Sequence, residues 1–513
     1  MTARFRAPTG DGEFLAVPPL SEIAAQCDSN ALILNSSRAI FGRTPLVEVR
    51  RVAISEFLEA SQAYLSESNV VPPSFQSRLL FAGHQPEFFH PGVWIKNFAL
   101  NRVAQQHGLA PINLVVDNDT VKGTAIRMPV VAEQPGDVHF GTLPFDDLHA
   151  ELPYEEHHRA NRDLFDSFPA RVKSMTRSWG FEPILFECWP KLQADHDRGV
   201  PLWEVVSRLR RSLEQRWGVK NFELPVSRLA ETRAFADFVE GIVADLPAFV
   251  ESYNGAIQTY RSVHRLRSRN HPAPELESKG EWFESPFWIW RADLPKRERL
   301  FARRIEGGIE YQAGERSLGR QTPAALKSAG WKVRPRALAL TLFVRLCLAD
   351  GFIHGIGGGK YDEVTDSIIA RFFSLEPPAY AVVSATLRLP IARFSATTDD
   401  QHIWQRRVRD WEWNPQRKPE IQAQYSQLAA RKQELIAKKP AAKDARRQWF
   451  RELQHITREM RIPLEAKIQE GHAREQLIES QLAANAILAS REFAWLLFPE
   501  KKLRELFAQV QGL

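Results

Sequence analysis

The sequence predicts an α/β protein with a parallel sheet that is split by a long insertion and followed by a helical C-terminal region. Residues 78–120 have the pattern of a strand, a helix and a second strand, and helices and strands alternate again in residues 333–387. From residue 421 onwards, apolar residues recur three and four positions apart, which is typical of amphipathic helices. These patterns divide the chain into a first part of the core (1–125), a connecting insertion (126–330), a second part of the core (331–400) and a helical region (401–513).

The composition of the 513 residues is that of a globular protein with two or three domains. The three cysteines are far apart and never form C-x-x-C, which excludes a thiolate zinc site and a disulfide scaffold and favours a reducing compartment. The N-terminus lacks the apolar segment of a signal peptide and no 18-residue apolar run occurs, so we expect a cytoplasmic protein that does not enter a membrane. The net charge of +6 suits anionic small molecules. No helix-turn-helix, ribonucleoprotein or zinc-finger pattern occurs, and we expect no nucleic-acid partner.

Both strands of the first strand–helix–strand unit are followed by polar residues. The first strand leads into residues 83–90, the helix is expected to begin near Pro91, where proline is favoured, and the second strand runs over 112–116. In an open parallel sheet, ligands bind at the carboxyl ends of strands beside the helix N-termini. This edge of the sheet is therefore the predicted functional site.

Two histidines follow the first strand. Gly83 lets the backbone approach a ligand closely, and Gln85 offers a hydrogen-bonding amide. His84 and His90 are suited to proton transfer near neutral pH, or to donation to a phosphate or carboxylate. We predict a ligand-binding role for Gly83 and catalytic roles for the other three residues. The alternative is that either histidine only caps or packs in the loop.

The second strand ends in Asp117-Asn118-Asp119-Thr120. Carboxylates at this position can hold a ribose or an amine, act as a base, or bind a metal. We predict catalytic roles for Asp117 and Asp119 and a ligand-binding role for Asn118. The alternative is that Asp119 or Thr120 caps the following turn.

The insertion is expected to contain both helical segments and short strand-like pieces. Periodic apolar residues predict helical segments over 157–178 and 202–216 and a long helix over 233–267. A strand-like piece is expected over 127–131 and a buried strand over 284–290.

The second half of the core contains a glycine-rich segment. Residues 337–348 predict an apolar helix, residues 352–356 a short strand, residues 363–373 a helix and residues 380–387 a strand. A loop is expected between the short strand and the second helix, with the residues Gly357, Gly358, Gly359, Lys360, Tyr361 and Asp362. Its backbone N–H groups and its lysine offer an anion site, which His354 joins from the strand. The spacing does not match a Walker motif, and a tight turn is the alternative.

The tail predicts an antiparallel helical hairpin. Apolar residues recur at helical spacing over 421–435 and 449–460, and Lys438-Lys439-Pro440 provides a turn between them. We predict a hairpin of coiled-coil type that is kinked at Pro463 and continues to Leu488. Two ordinary amphipathic helices packed on the body are the alternative.

Three short motifs resemble the family of the cysteine-adding enzyme of bacillithiol biosynthesis. Residues 83–89 are similar to the family's G-[QH]-Q-x-x-L-F loop, Ile356-Gly357-Gly358 to its I-G-G turn, and residues 493–499 to the aromatic, proline-containing end after its coiled coil. The resemblance implies a Rossmann-like core split by connecting segments, and a coiled coil that forms a homodimer. The chain differs in two places: Asp117-Asn118-Asp119-Thr120 replaces an E-D-H-D-like tetrad, and Gly359-Lys360-Tyr361 replaces Pro-Gly-Glu.

The resemblance implies a ligase that adds cysteine to glucosaminyl malate, or a related amino acid or amine to a sugar-type or anionic acceptor. In that reaction His84 and His90 would orient or protonate the reacting group, with Gln85 as a hydrogen-bond partner. Asp117 and Asp119 would hold the amine or act as a base, and the segment 357–360 would hold an anionic group. ATP and a divalent metal are the candidate cofactors.

Two other functions remain open. A metal-dependent hydrolase would use a divalent ion held by His84, His90, Asp117, Asp119 and His354. A non-catalytic scaffold would bind a nucleotide or metabolite and dimerise through the helical hairpin.

Overall fold

The computed structural model describes residues 5–42, 44–75, 78–132, 136–147, 151–268 and 270–512. The strands are β1 (Phe14–Val17), β2 (Ile40–Phe41), β3 (Thr44–Pro45), β4 (Leu79–His84), β5 (Ala110–Val115), β6 (Ala125–Val131), β7 (Val138–Pro144), β8 (Phe222–Pro225), β9 (Ser278–Lys279), β10 (Trp282–Arg291), β11 (Leu294–Ile305), β12 (Gly308–Ala313), β13 (Arg316–Arg320), β14 (Trp331–Pro335), β15 (Gly351–His354) and β16 (Ala381–Ala385). The helices are α1 (Ile23–Asn35), α2 (Leu46–Ser66), α3 (Pro91–His107), α4 (Arg162–Met175), α5 (Leu185–Asp197), α6 (Leu202–Arg216), α7 (Val226–Leu229), α8 (Arg233–Ala244), α9 (Leu246–His264), α10 (Pro323–Ser328), α11 (Ala337–Phe343), α12 (Ile356–Phe372), α13 (Thr398–Trp413), α14 (Pro419–Gln424), α15 (Ser426–Ala437), α16 (Lys443–Arg461), α17 (Glu465–Leu488) and α18 (Glu500–Gln511). A π-helical turn, Val344–Leu348, extends α11.

The main sheet has the strand order β1-β16-β15-β4-β5-β8. The strands from β16 to β8 run parallel, and β1 pairs antiparallel with β16 at the edge. The prediction of an α/β protein with a parallel sheet is therefore confirmed. Strands from both sides of the range 126–330 contribute, and β8 comes from within that range.

The order in which the chain adds strands to the sheet reverses between the parallel neighbours β4 and β15. From β4 the strands are added outwards as β5 and β8, and from β15 the next strand, β16, is added on the opposite side. Helix α3 connects β4 to β5 on one side, and α12 connects β15 to β16 on the other. The register pairs Gly351 with Leu80 and Ile353 with Ala82, so the carboxyl ends of β4 and β15 lie side by side. In open α/β sheets, ligands bind beyond the strand ends at such a switch point.

Each face of the main sheet is covered by its own apolar core. Phe81 of β4 packs in the core formed by α2, α8, α9 and α11, and Leu80 packs in the core formed by α3, α5, α6 and α18. Strands that are buried on both faces have continuous apolar sequences, which explains why the parallel strands are predictable. No helix among the described residues is both long and apolar enough to cross a membrane.

A second, antiparallel sheet has the order β13-β12-β11-β10-β14, with β9 beside β10. The sequence predicts only the strand over 284–290, which lies within β10. Strand β11 is missed because its 12 residues include five basic side chains and lack apolar alternation. The five side chains are Lys296, Arg297, Arg299, Arg303 and Arg304.

The prediction of one long helix over 233–267 is wrong. The structure has two helices there, α8 and α9, which are separated at Asp245. Pro247 lies in the first turn of α9, where a missing N–H costs nothing. The proline therefore favours a new helix start at this point.

The loop expected over 357–362 is also wrong, because α12 begins at Ile356 and includes all of these residues. Glycine disfavours a helix interior by about 1 kcal/mol relative to alanine. Tertiary packing outweighs this preference: a Cβ on Gly359 would lie 2.5 Å from Cγ2 of Val382, so only glycine allows this close contact.

The C-terminal helices pack in pairs, α13 with α17 and α15 with α16. Ile421, Leu435, Ile456 and Met460 share one apolar core. The chain turns between α15 and α16, as predicted, whereas the helix expected over 421–435 is interrupted between α14 and α15. A helical C-terminal region is therefore confirmed.

Candidate functional site

The end of β4 places His84 in a nearly closed environment. The residue is 8% exposed, and its ring lies edge-on to Phe89 with the centroids 4.3 Å apart. Its Nδ1 is buried and has no hydrogen-bond partner among the residues that the structure describes. Burial, with the nearby charges of Lys96 and Arg210, lowers the pKa of His84 well below its usual value. His84 is therefore a neutral imidazole with an uncommitted ring nitrogen.

Gly83 and Lys96 close the end of the strand next to His84. Nζ of Lys96 donates to the carbonyl oxygen of Gly83 at 2.9 Å, and burial lowers the pKa of Lys96 to about 8. A Cβ on Gly83 would lie 3.1 Å from Cβ of Leu114. The glycine therefore accommodates the close approach of β5, a packing role that does not require a ligand.

His90 is the N-cap of α3. Its Nδ1 accepts a hydrogen bond from the backbone N–H of Gly92 at 3.1 Å, and its Nε2 lies 3.5 Å from Oε2 of Glu492. Burial lowers the pKa of His90 to about 4, although Glu492 opposes this shift. His90 thus fixes the start of α3 and joins the β4 loop to the C-terminal segment.

On the other side of the switch point, His354 belongs to a buried charge network. Its Nε2 lies 2.8 Å from Oδ2 of Asp362, which also accepts from Nη1 of Arg345 at 2.7 Å. Burial alone would raise the pKa of Asp362, but Arg345 and His354 outweigh it and hold this pKa at about 2. The predicted ligand-binding residue Asp362 is therefore engaged within the protein, where it orients His354.

The first turn of α12 adjoins His354. Its N-cap, Gly355, makes no side-chain capping hydrogen bond, and Gly357 and Gly358 are exposed. A Cβ on Gly358 would lie 2.8 Å from Nδ1 of His354, so the turn approaches the imidazole closely. The first N–H groups of a helix have no intrahelical partner and favour anions. This turn can therefore hold an anionic group beside His354.

The remaining residues of the glycine motif have other surroundings. Lys360 and Tyr361 are exposed on α12. Gly359 is buried, and its carbonyl oxygen accepts from the hydroxyl of Tyr380 at 2.7 Å. Gly357 and Gly358 are therefore the residues of the glycine motif that are exposed to solvent beside His354.

Asp117 and Asn118 are buried and bound within the chain. Oδ1 of Asp117 accepts from the backbone N–H of Ser227 at 2.8 Å, and Oδ2 accepts from the Ser227 hydroxyl. Burial and the charge of Glu155 raise the pKa of Asp117 to about 7, against the opposing hydrogen bonds from Ser227. Asn118 donates to the carbonyl oxygen of Pro335 at 2.7 Å. Asp117 is 0% exposed and therefore has no surface for a substrate.

Asp119 is held by three side chains. Its carboxylate lies 3.1 Å from Nε2 of Gln85, 3.2 Å from Nζ of Lys122 and 3.3 Å from Nη1 of Arg297. Burial alone would raise the pKa of Asp119, but these partners lower it below its usual value. Gln85 and Asp119, two predicted catalytic residues, are thus brought together, and their contact ties the β4 loop to the β5 loop.

A cavity of about 220 Å³ lies beside this edge, and no sequence pattern predicts it. Its polar lining residues are Glu87, Thr124, Arg127, Tyr154, His157 and Glu492. Glu87 follows His84 by three residues, but the other five residues come from other parts of the chain. Only the tertiary structure brings these five beside Glu87, because none of the five lies in a motif that the sequence analysis identifies.

The five residues of the metal-hydrolase alternative are not gathered into one centre. His354 pairs with Asp362, whereas both carboxylate oxygens of Asp117 are taken by Ser227. In the described part of the chain, no group of three or more His, Cys, Asp or Glu side chains is arranged to hold a metal ion. The arrangement gives this alternative no support.

Comparison with known proteins adds no assignment. No protein-family model matches the sequence, and no curated protein matches it. The geometry of the site and the short motifs are therefore the basis for a function.

Proposed function

We propose that the chain is a ligase-type enzyme that joins cysteine, or another small amino acid or amine, to a sugar-type or anionic acceptor at the carboxyl edge of the main sheet. By the motif resemblance, the acceptor is glucosaminyl malate. One observation carries the proposal: at the switch point, the uncommitted imidazole of His84 lies on the strand next to the open first turn of α12. Such a reaction needs a group that exchanges a proton and a group that holds an anion.

In the proposed reaction, the amino nitrogen of the acceptor forms a bond to the carboxyl carbon of the amino acid. The amine gives up a proton, and one oxygen leaves the carboxylate. ATP is the candidate co-substrate that would take up this oxygen.

The described residues have distinct roles in this proposal. Neutral His84 accepts a hydrogen bond or the proton from the acceptor amine at Nε2, because Nδ1 is fully enclosed and a neutral imidazole has one acceptor nitrogen. Gly357 and Gly358 hold the anionic group of the acceptor through their backbone. His90 and Gln85 position the loop, since each is bound to another part of the chain. Asp117 and Asp119 stabilise the β5 loop and do not contact the substrates.

The proposal extends to fold and assembly: a Rossmann-like core, a C-terminal coiled coil and a homodimer formed through it. The two strand–helix–strand units around the switch point support the core, and the packing of α15 on α16 supports the coiled coil. Large apolar side chains are exposed in the C-terminal helical region, as on surfaces that bind partners: Trp413 of α13 (56%), Ile436 of α15 (50%), Phe450 of α16 (47%) and Ile462 just after α16 (65%). Sedimentation of the full chain should give twice the monomer mass, and a monomer at micromolar concentration would contradict the dimer.

A cytoplasmic location is also part of the proposal. The three cysteines are free and buried, as is usual in a reducing compartment. Fractionation of cells that express the chain tests the location, and recovery outside the cytoplasm would contradict it.

Mass spectrometry of the full-length protein with cysteine and glucosaminyl malate, with and without ATP and a divalent metal, tests the reaction. We expect a condensation product, and its dependence on ATP defines the type of reaction. Lack of product, while a working ligase forms it under the same conditions, would contradict this substrate pair. Binding of either compound without turnover would favour the scaffold alternative.

A matched pair of variants tests the anion position. Gly358→Ala should raise KM for the acceptor about tenfold or more, because the new Cβ would lie 2.8 Å from Nδ1 of His354. Gly357→Ala is the paired variant in the same turn, because its Cβ meets no protein atom within 4 Å and leaves His354 in place. A wild-type KM for the acceptor in Gly358→Ala would place the acceptor elsewhere.

A further inference from the structure

We infer that α16 binds nucleic acid through the phosphate backbone, by means of the basic side chains on its exposed face. This inference goes beyond the proposed function and does not depend on it, because α16 lies in the C-terminal helical region. It also departs from the expectation of no nucleic-acid partner. That expectation rests on the absence of known binding motifs, whereas contacts to phosphates require no such motif.

The net charge of the chain is concentrated in this part of the molecule. Residues 426–461, which form α15, the following turn and α16, contain ten basic and four acidic residues and therefore have a net charge of +6. The net charge of the whole chain is also +6, so the remaining residues are neutral overall. Positive charge that is clustered in this way attracts a polyanion.

One face of α16 carries most of these charges. Residues three and four positions apart lie on the same face of a helix. One such row on α16 consists of Lys443, Arg447, Phe450, Gln454, Arg458 and Arg461. Arg446 and Arg451 lie beside this row, and the six basic side chains together form the basic face of α16. All three acidic residues of α16 lie outside the row.

Most of the basic face has no partner within the protein. Four of its side chains are exposed, and none of the four makes a side-chain hydrogen bond or an ion pair with another described residue: Lys443, Arg447, Arg451 and Arg458. Like charges four positions apart on a helix destabilise it. An external anion would remove this repulsion, so the basic face is suited to a negatively charged partner.

The opposite face of α16 is already covered, which disfavours a membrane as the partner. Trp449, Leu453, Ile456 and Met460 pack in the apolar core that α16 shares with α15. A helix that lies on a membrane inserts its apolar face into the lipid, and α16 has no apolar face left for this purpose. A second copy of the basic face is also disfavoured, because like charges would repel. The proposed dimer would therefore use other faces of the C-terminal helices.

The length and the residue types of the basic face match nucleic acid. The row from Lys443 to Arg461 extends over about 27 Å, at about 1.5 Å per residue. A nucleic-acid duplex has one negative charge about every 1.7 Å, so each cation along this length can meet a phosphate. Five of the six basic residues are arginines, which bind phosphate bidentately. Phe450, which is 47% exposed, offers a ring on which an unpaired base can stack.

Fluorescence anisotropy of the full-length protein with labelled RNA, single-stranded DNA and duplex DNA tests the inference. We expect a Kd of micromolar order or below at 50 mM salt and a loss of about 50-fold or more at 200 mM salt, because four or more phosphate contacts release counterions. The order of the three affinities identifies the preferred nucleic acid. Lack of binding to all three at 50 mM salt would overturn the inference.

A triple variant assigns the surface. Arg447→Gln/Arg451→Gln/Arg458→Gln should weaken binding about 30-fold or more at low salt, and should lower the slope of log K against log salt concentration by about one for each lost contact. The fold should be unchanged, because these side chains have no partners among the described residues. Circular dichroism and thermal unfolding check this point. Wild-type affinity in the triple variant would overturn the inference.

A second triple variant is the charge-matched control. Arg159→Gln/Arg177→Gln/Arg504→Gln removes the same charge at three exposed positions outside residues 426–461. Its affinity should stay within about twofold of the wild type, because contacts to phosphate are local. Equal losses in the two triple variants would mean that the overall charge attracts the nucleic acid, and would overturn the assignment to α16.

Two other polyanions separate nucleic acid from the competing partners. Poly-L-glutamate presents the carboxylates of an acidic protein, and vesicles that contain phosphatidylserine present an anionic lipid surface. Both should bind at least about tenfold more weakly than the oligonucleotides at the same salt concentration, because neither combines dense phosphates with stacking bases. Equal or tighter binding of either would overturn the inference and make that class of molecule the partner.

A single variant tests the stacking contact. Phe450→Ala should weaken RNA and single-stranded DNA about fivefold or more and leave duplex DNA unchanged, because only unpaired bases can stack on the ring. An unchanged affinity for both single strands would remove Phe450 from the binding surface.

Discussion

The carboxyl ends of β5 and β4 are neighbours in the main sheet, but the two aspartates after β5 and the histidine at the end of β4 have opposite surroundings. After β5, both carboxylate oxygens of Asp117 accept hydrogen bonds from Ser227, and Asp119 is held by three side chains. After β4, Nδ1 of His84 and Oε2 of Glu87 have no hydrogen-bond partner in the described part of the chain. The residue type at a strand end is thus a weaker guide to function than whether the protein already satisfies its hydrogen bonds.

The difference has an energetic cause. A buried polar group that lacks a partner costs about 1–3 kcal/mol, so most such groups in a folded protein are paired. A group that stays unpaired beside a switch point is therefore a candidate for binding or chemistry. The paired carboxylates of Asp117 and Asp119 at the same edge hold in place the loops beside such an unpaired group.

The largest expected effect is on turnover at the β4 end. His84→Ala should lower kcat about 100-fold to 10,000-fold, the contribution of a general acid or base. Its free energy of unfolding should fall by no more than about 2 kcal/mol, because the imidazole makes no hydrogen bond among the described residues. The condensation assay and urea unfolding measure the two quantities. His107→Ala is the control, since His107 is exposed at the end of α3; wild-type kcat in His84→Ala would remove His84 from the mechanism.

The β5 end should show the opposite pattern, with a smaller effect that is confined to stability. Asp117→Ala should lower the free energy of unfolding by about 2–4 kcal/mol, because the N–H and hydroxyl of Ser227 lose their acceptor. Asp117→Asn should cost less, since its amide oxygen still accepts. Denaturant titration measures both variants. An Asp117→Ala protein of normal stability but without turnover would reverse the comparison and make Asp117 catalytic.

The third effect is a pH dependence of stability at His90, which is hydrogen-bonded within the protein but held uncharged. Its pKa falls from 6.5 to about 4 on folding, so its contribution to stability is complete above pH 6.5 and is lost as the pH falls towards 4. Asparagine keeps an N-cap acceptor but does not titrate. Over this range the wild type should lose about 1.4 kcal/mol per pH unit more than His90→Asn.

Unfolding curves at several pH values measure this difference. Glu492, Arg491 and Lys96 are the charged groups that act on His90, and all three are present in both proteins. Parallel stability curves for the wild type and His90→Asn would mean that His90 is protonated in the folded state.

Much of the fold could be predicted because its signals are local. The apolar runs around β4 and β5 indicate strands that are buried on both faces, and proline at the start of α3 marks a helix start. Helix α6 has the predicted bounds, Leu202–Arg216, because its apolar residues follow the helical period. The charged strand β11 and the glycine-rich start of α12 could not be predicted, since tertiary packing outweighs local preference in both.

The sequence by itself determined the α/β class, the edge of the sheet at which polar residues collect, and the helical C-terminal region. Only the tertiary structure decided which of those polar residues are engaged and which are open. Asp117 is bound by Ser227, 110 residues further along the chain, and Glu87 by Tyr154, 67 residues away. Hydrogen bonds between residues so far apart leave no local pattern, because they depend on where the completed fold brings the two groups.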